Sequence, residues 1–84
     1  MDSIRVTLIY LDHCMLLSKK RYQDWREIQD EYWDNYKTNL LPMTYEELIC
    51  FFKDDYGEET NWPFSRSAII NFFEGNSETM KSAQ

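Results

Sequence analysis

The sequence predicts a mostly α fold, a small single-domain bundle of three to four helices, on three observations. The first 41 of its 84 residues contain neither Gly nor Pro. Within them Ile4, Leu8, Leu11, Met15, Tyr22, Trp25, Tyr32 and Tyr36 recur in steps of three and four, with Ser18 and Gln29 the only breaks in the series. That is the helical template. Downstream, two shorter apolar clusters each stand between a capping residue and a glycine.

A chain of this length makes one domain and buries only about 60–65% of its unfolded surface. Its hydrophobic fraction is 43%, and fourteen residues are aromatic. Aromatic side chains bury roughly 150–250 Å² each, so the composition supports a core and excludes a disordered chain. The domain is expected over residues 1–75, with 76–84 a flexible polar tail.

Each element has its own justification. The front segment reads as a long helix, or as two helices with Ser18 capping the second. A rival pattern occupies its start: Ile4, Val6, Leu8 and Tyr10 alternate with Arg5 and Thr7, so the alternative is an α+β fold with an N-terminal strand at residues 3–11. Such a strand needs a neighbour, either a symmetry mate or a short piece such as residues 38–43. Thr44 with Glu47 is a capping box that starts a helix running from about Tyr45 to Tyr56, stopped by Gly57. After Pro63, Ser65 caps a short helix carrying Ile69, Ile70, Phe72 and Phe73, ended by Gly75.

Enzymatic chemistry finds no support in the residues. The single histidine, His13, lies beside an apolar run, where a structural role is commoner than a general base. Two glycines cannot build a phosphate loop. Cys14 and Cys50 make neither a disulfide framework nor a zinc motif, and read as small buried hydrophobes of a reducing compartment. The acidic run around Gly57 misses the calcium-loop spacing, because neither the Gly nor the Glu falls at its required position. No cofactor or metal is expected. The N-terminus, Met-Asp-Ser-Ile, does not read as a signal peptide, and no apolar run approaches the ~20 residues that span a bilayer. A cytoplasmic protein of the producing or infected cell is expected.

Charge is the informative feature. Of fifteen acidic residues, eleven fall between residues 22 and 62 with only three basic ones, a local net of −8 within a chain of −6. Asp24, Glu27, Glu31 and Asp34 are spaced three, four and three apart, which on one helix gives a single face with carboxylates about 5–6 Å from one another. A second cluster, Asp54, Asp55, Glu58 and Glu59, precedes Trp62. Trp33 and Trp62 are the candidate exposed anchors, since Trp concentrates binding energy at interfaces. Lys19, Lys20 and Arg21 form the only basic patch in the sequence.

This pattern predicts a small acidic protein-interaction module, an inhibitor or adaptor that docks on a basic surface of a nucleic-acid-binding protein. The general character of the chain is similar to the loose class of small inhibitors encoded by phages and mobile elements, which includes DNA mimics and anti-CRISPR proteins. That similarity implies no site residue. Direct binding of nucleic acid or membrane is not expected. Two alternatives stand beside this one. A helix-turn-helix-type DNA-binding regulator would read DNA through Arg66 and Asn71, although the Gly57–Ser65 connection is long for that motif. A self-associating structural subunit, such as a homodimer, would use the stripe of Ile4, Leu8, Leu11 and Met15.

Overall fold

Where the sequence predicts the first turns of a long helix, the chain instead makes a β-hairpin. A computed structural model describes residues 4–82. In it β1 (Thr7–Leu11) turns through Asp12, His13 and Cys14 into β2 (Met15–Ser18), with Leu8 opposite Leu17 and Tyr10 opposite Met15. The expected mostly α bundle is therefore wrong: the fold is α+β, a four-stranded antiparallel sheet with three α-helices. The strand considered for residues 3–11 forms from Thr7 onwards, with Val6 in an isolated bridge to Met43; Ser3 lies outside the described residues.

The helical spacing misled for a physical reason. β1 is covered on both faces, and a strand buried on both faces reads as a continuous apolar run. Val6, Leu8 and Leu17 join one core, while Ile9, Leu11 and Leu16 join another on the opposite face. A continuous run satisfies any period, so steps of three and four were available within it by default. The proposed self-association stripe is split by the same alternation, with Leu8 buried on one side of the sheet and Leu11 on the other.

Of the expected front helix only one short piece exists, α1 (Trp25–Glu31). Its N-cap is Asp24, whose side chain accepts from the Arg26 backbone N–H. Ser18, the cap the sequence suggested, is instead fully buried at the end of β2 and bonds the Tyr22 hydroxyl at 3.0 Å. The chain then enters β3 (Tyr36–Asn39), which pairs with β1. The register slips between Tyr10 and Leu11, leaving Lys37 without an opposite residue, a bulge at a sheet edge of the kind that discourages edge-to-edge pairing.

The later helices follow their sequence signals. α2 (Tyr45–Tyr56) starts at Thr44 with both bonds of the capping box in place, and ends at Gly57 with φ of 75°. A three-residue 3-10 turn, Glu59–Asn61, leads to α3 (Arg66–Glu74), capped by the Ser65 hydroxyl. Gly75 is required for close approach, because a Cβ there would lie 2.8 Å from the Asn71 carbonyl oxygen. The stretch expected to be a loose tail supplies β4 (Thr79–Lys81), an edge strand with Met80 opposite Leu17; residues 83 and 84 lie outside the described residues.

The sheet order is β3-β1-β2-β4. β2 and β3 both run antiparallel to β1, which lies between them, so α1 is the crossover of a split β-α-β unit. Ile28 of α1 seals one face with Ile9, Leu11 and Leu16. Leu48, Ile49 and Phe52 of α2, with Ile69 and Phe72 of α3, seal the other. Full burial of each such side chain contributes about 1.5–3 kcal/mol. Cys50, expected inside, is exposed on α2, whereas Cys14 is half-buried beside the α1 core.

Candidate functional site

Placing α1 and α2 on opposite faces of the sheet separates the two acidic clusters into different layers. The four carboxylates expected on one helical face do not share one, because α1 stops at Glu31 and Asp34 lies in the turn beyond it. Tyr, Trp, Asp and Asn are weak helix formers, and Tyr36 is claimed by its pairing with Leu11. Three of the four carboxylates have local partners. Asp24 caps α1, Glu27 accepts from the Gln23 backbone N–H at 2.9 Å, and Glu31 pairs with Lys20 at 2.8 Å.

Trp62 is buried, contrary to the expected exposed anchor. It is only 8% exposed, its ring packs 5.6 Å from that of Phe52, and its Nε1–H donates to the Gly57 carbonyl. The 3-10 turn directs Trp62 inwards while its charged neighbours face water. Glu59 is neutralised by Arg66 at 2.6 Å, and the Arg66 guanidinium also lies over the Trp62 ring. Hydrogen bonding to Glu59 first and to Tyr45 second holds the guanidinium proton more tightly than usual. Arg66, the residue a DNA reader would use, is therefore engaged within the fold.

What remains converges on one end of the sheet. The β1–β2 turn, the α1–β3 turn and the C-terminal end of α2 meet there: the Asp12 N–H donates to the Asn35 carbonyl at 2.8 Å, and the Tyr56 hydroxyl donates to Met15 Sδ at 3.7 Å. Asp34 arrives on the first of these connections, and Asp54, Asp55 and Glu58 on the second. All four are exposed, and none has an ion-pair partner or a side-chain hydrogen bond among the described residues. Trp33, beside Asp34, is 78% exposed. The single histidine, His13, is exposed in the adjoining turn rather than held in a core.

Electrostatics at this end run against stability. Asp54 and Asp55 lie in the last turn of α2, where the helix dipole is negative, with Lys53 the only basic residue of that turn. A carboxylate there costs about 0.3–1 kcal/mol relative to a neutral side chain. Tyr10, half-buried nearby, has its phenol pKa pushed up, first by burial and then by Tyr56 and Asp55. On the α1 side, burial and then the Glu31 charge push Tyr32 up to about 12.

The opposite end is basic, which sequence reading registered only as a three-residue patch. Thr7 pairs with Ser18, so Arg5 just before one strand and Lys19, Lys20 and Arg21 just after the other line the same groove. The signal was present as the net +2 of residues 1–21, but it needed the hairpin register to become a surface.

Among the described residues no group of three or more His, Cys, Asp and Glu could hold a metal ion, and no helix is long and apolar enough to cross a membrane. No family model, no curated protein and no solved structure matches the chain.

Proposed function

We propose that this chain is a small protein-interaction module whose acidic end, Asp34, Asp54, Asp55 and Glu58 together with the exposed Trp33, docks on a basic surface of a nucleic-acid-handling protein. One observation carries this reading. These carboxylates come from segments on both faces of the sheet, share one end of it without neutralising partners among the described residues, and include two placed against a helix dipole. Carboxylates steer association with a basic surface, and a rim-exposed Trp supplies buried area once docked. A basic groove that follows a phosphate backbone is the partner chemistry such a cluster complements.

The test is capture from lysate by the tagged protein with a salt-step elution, run in parallel for the wild type, Asp55→Lys/Glu58→Lys and Glu27→Lys/Glu31→Lys. The acidic end predicts that the first double variant loses the partner while the second, altered on α1, keeps most of it. Equal recovery of the same partner by the wild type and Asp55→Lys/Glu58→Lys would remove the basis of the proposal.

A further inference from the structure

At the end of the sheet opposite the carboxylates lies a groove of about 570 Å³, within the size range of small-ligand sites. Its lining includes Arg5, Lys19, Lys20 and Arg21, four of the chain's nine Lys and Arg residues, together with Tyr22 and Trp25. Asp24 is the one carboxylate in that lining, and it is committed to capping α1. An acidic protein has thus gathered almost half of its cations around one concavity.

The cations differ in what they are free to do. Lys19 Nζ donates to the Gly75 carbonyl at 3.1 Å and lies over the Phe72 ring, and Lys20 pairs with Glu31. These contacts hold the two lysines in place. Arg5 and Arg21 are exposed. A guanidinium presents a planar fork of donors that matches phosphate oxygens two at a time. Trp25, a large apolar ring, stays 51% exposed at the first position of α1, with the Arg26 guanidinium lying over the ring 5.5 Å from its centroid, which leaves the other face for a base. The lining also includes the apolar Ile28 and Leu40.

We infer that this groove binds a nucleotide unit, its phosphate held by Arg5 and Arg21 and its base stacked against Trp25. An acidic peptide would satisfy the cations but would leave the exposed indole unused, whereas a nucleotide has both an anionic and a planar part. Every base has a π-face that stacks on an aromatic side chain, so the site takes nucleotides without sequence preference. The unit is supplied either by a free nucleotide or by one end of a single strand. The chain's net charge of −6 opposes general adhesion to polyanions, which confines binding to the groove.

The experiment uses the full chain at low salt with a fluorescein-labelled oligothymidylate of about eight nucleotides, within the footprint of single-strand binders. Binding is read by anisotropy, with AMP and an oligoglutamate peptide of equal length as competitors. Saturable binding is expected, weakened about tenfold or more by Arg21→Glu and by Trp25→Ala, in line with the loss of one stacked base. Displacement by AMP at its own binding concentration identifies a free nucleotide as the natural source. Displacement only by unlabelled oligonucleotide identifies a strand end. Both results support the site. Because both substitutions fall on exposed side chains, the fold survives them, and Arg5→Glu on the facing rim gives an independent check. The inference is overturned by absence of saturable binding of the oligothymidylate, by indifference to Arg21→Glu and Arg5→Glu, or by oligoglutamate displacing the probe as well as unlabelled oligonucleotide does.

Discussion

The indole nitrogen of Trp62 donates to the carbonyl oxygen of Gly57 at 3.1 Å, tying the end of α2 to the far side of the acidic loop. Gly57 reaches this position with φ of 75°, and nothing lies within 4 Å of where its Cβ would be. The four residues between Gly57 and Trp62, 58–61, which include Glu58 and Glu59, are therefore closed from beneath by a buried ring.

Trp62→Ala removes that ring from its place against Phe52, in the core that also holds Phe64. The expected loss is about 3–5 kcal/mol, most of the stability of so small a domain. Gly57→Ala has no steric obstacle and loses only through its backbone conformation, about 1–3 kcal/mol. Urea unfolding followed by far-UV circular dichroism checks both, and a Trp62→Ala loss below that of Gly57→Ala contradicts the packing described here.

Asp54→Asn and Asp55→Asn should stabilise the free protein, by about 0.3–1 kcal/mol each, because each removes a negative charge from the negative end of α2. Thermal melts at low and at high salt separate this electrostatic gain from other effects, since salt screens it. Lower melting temperatures for both variants would show that these carboxylates serve the fold rather than a partner.

Alkaline pH should unfold the protein through its tyrosines. The Tyr32 phenol pKa is raised from 10.0 to about 12, mainly by burial, so the folded state holds the proton more tightly than the unfolded chain. That contribution is complete below pH 10 and is lost as pH rises from 10 to about 12. Tyr10 and Tyr22 are shifted in the same direction, burial being the first cause for each. Tyrosinate absorbance measured beside circular dichroism should show late ionisation coupled to unfolding, and Tyr32→Phe should flatten the stability profile between pH 10 and 12.

The two caps read from sequence offer a local test. Thr44→Ala removes the acceptor of the Glu47 N–H, and Ser65→Ala that of the Ala68 N–H. Each should cost about 1 kcal/mol. Hydrogen exchange should quicken first at the start of the helix whose cap was removed. Uniform quickening over the whole chain would mean that the helix starts have no local stability of their own.

The sequence by itself determined the elements whose signals are local. Thr44 with Glu47, Ser65, Gly57 and Gly75 mark α2 and α3 because a cap is a contact between residues three or four apart. It also determined the acidity of the middle of the chain. Tertiary structure alone decided the front half, where Leu8 and Ile9 face different cores and only the covering helices reveal β1 as a strand buried on both sides. Thr79–Lys81 became a strand for the same kind of reason, since its partner Leu16–Ser18 is more than sixty residues away in the chain. Both candidate surfaces are non-local too. Asp34 shares one end of the sheet with Asp55 and Glu58, and Arg5 lines the same groove as Arg21 at the other, through strand pairing that no spacing in the sequence encodes.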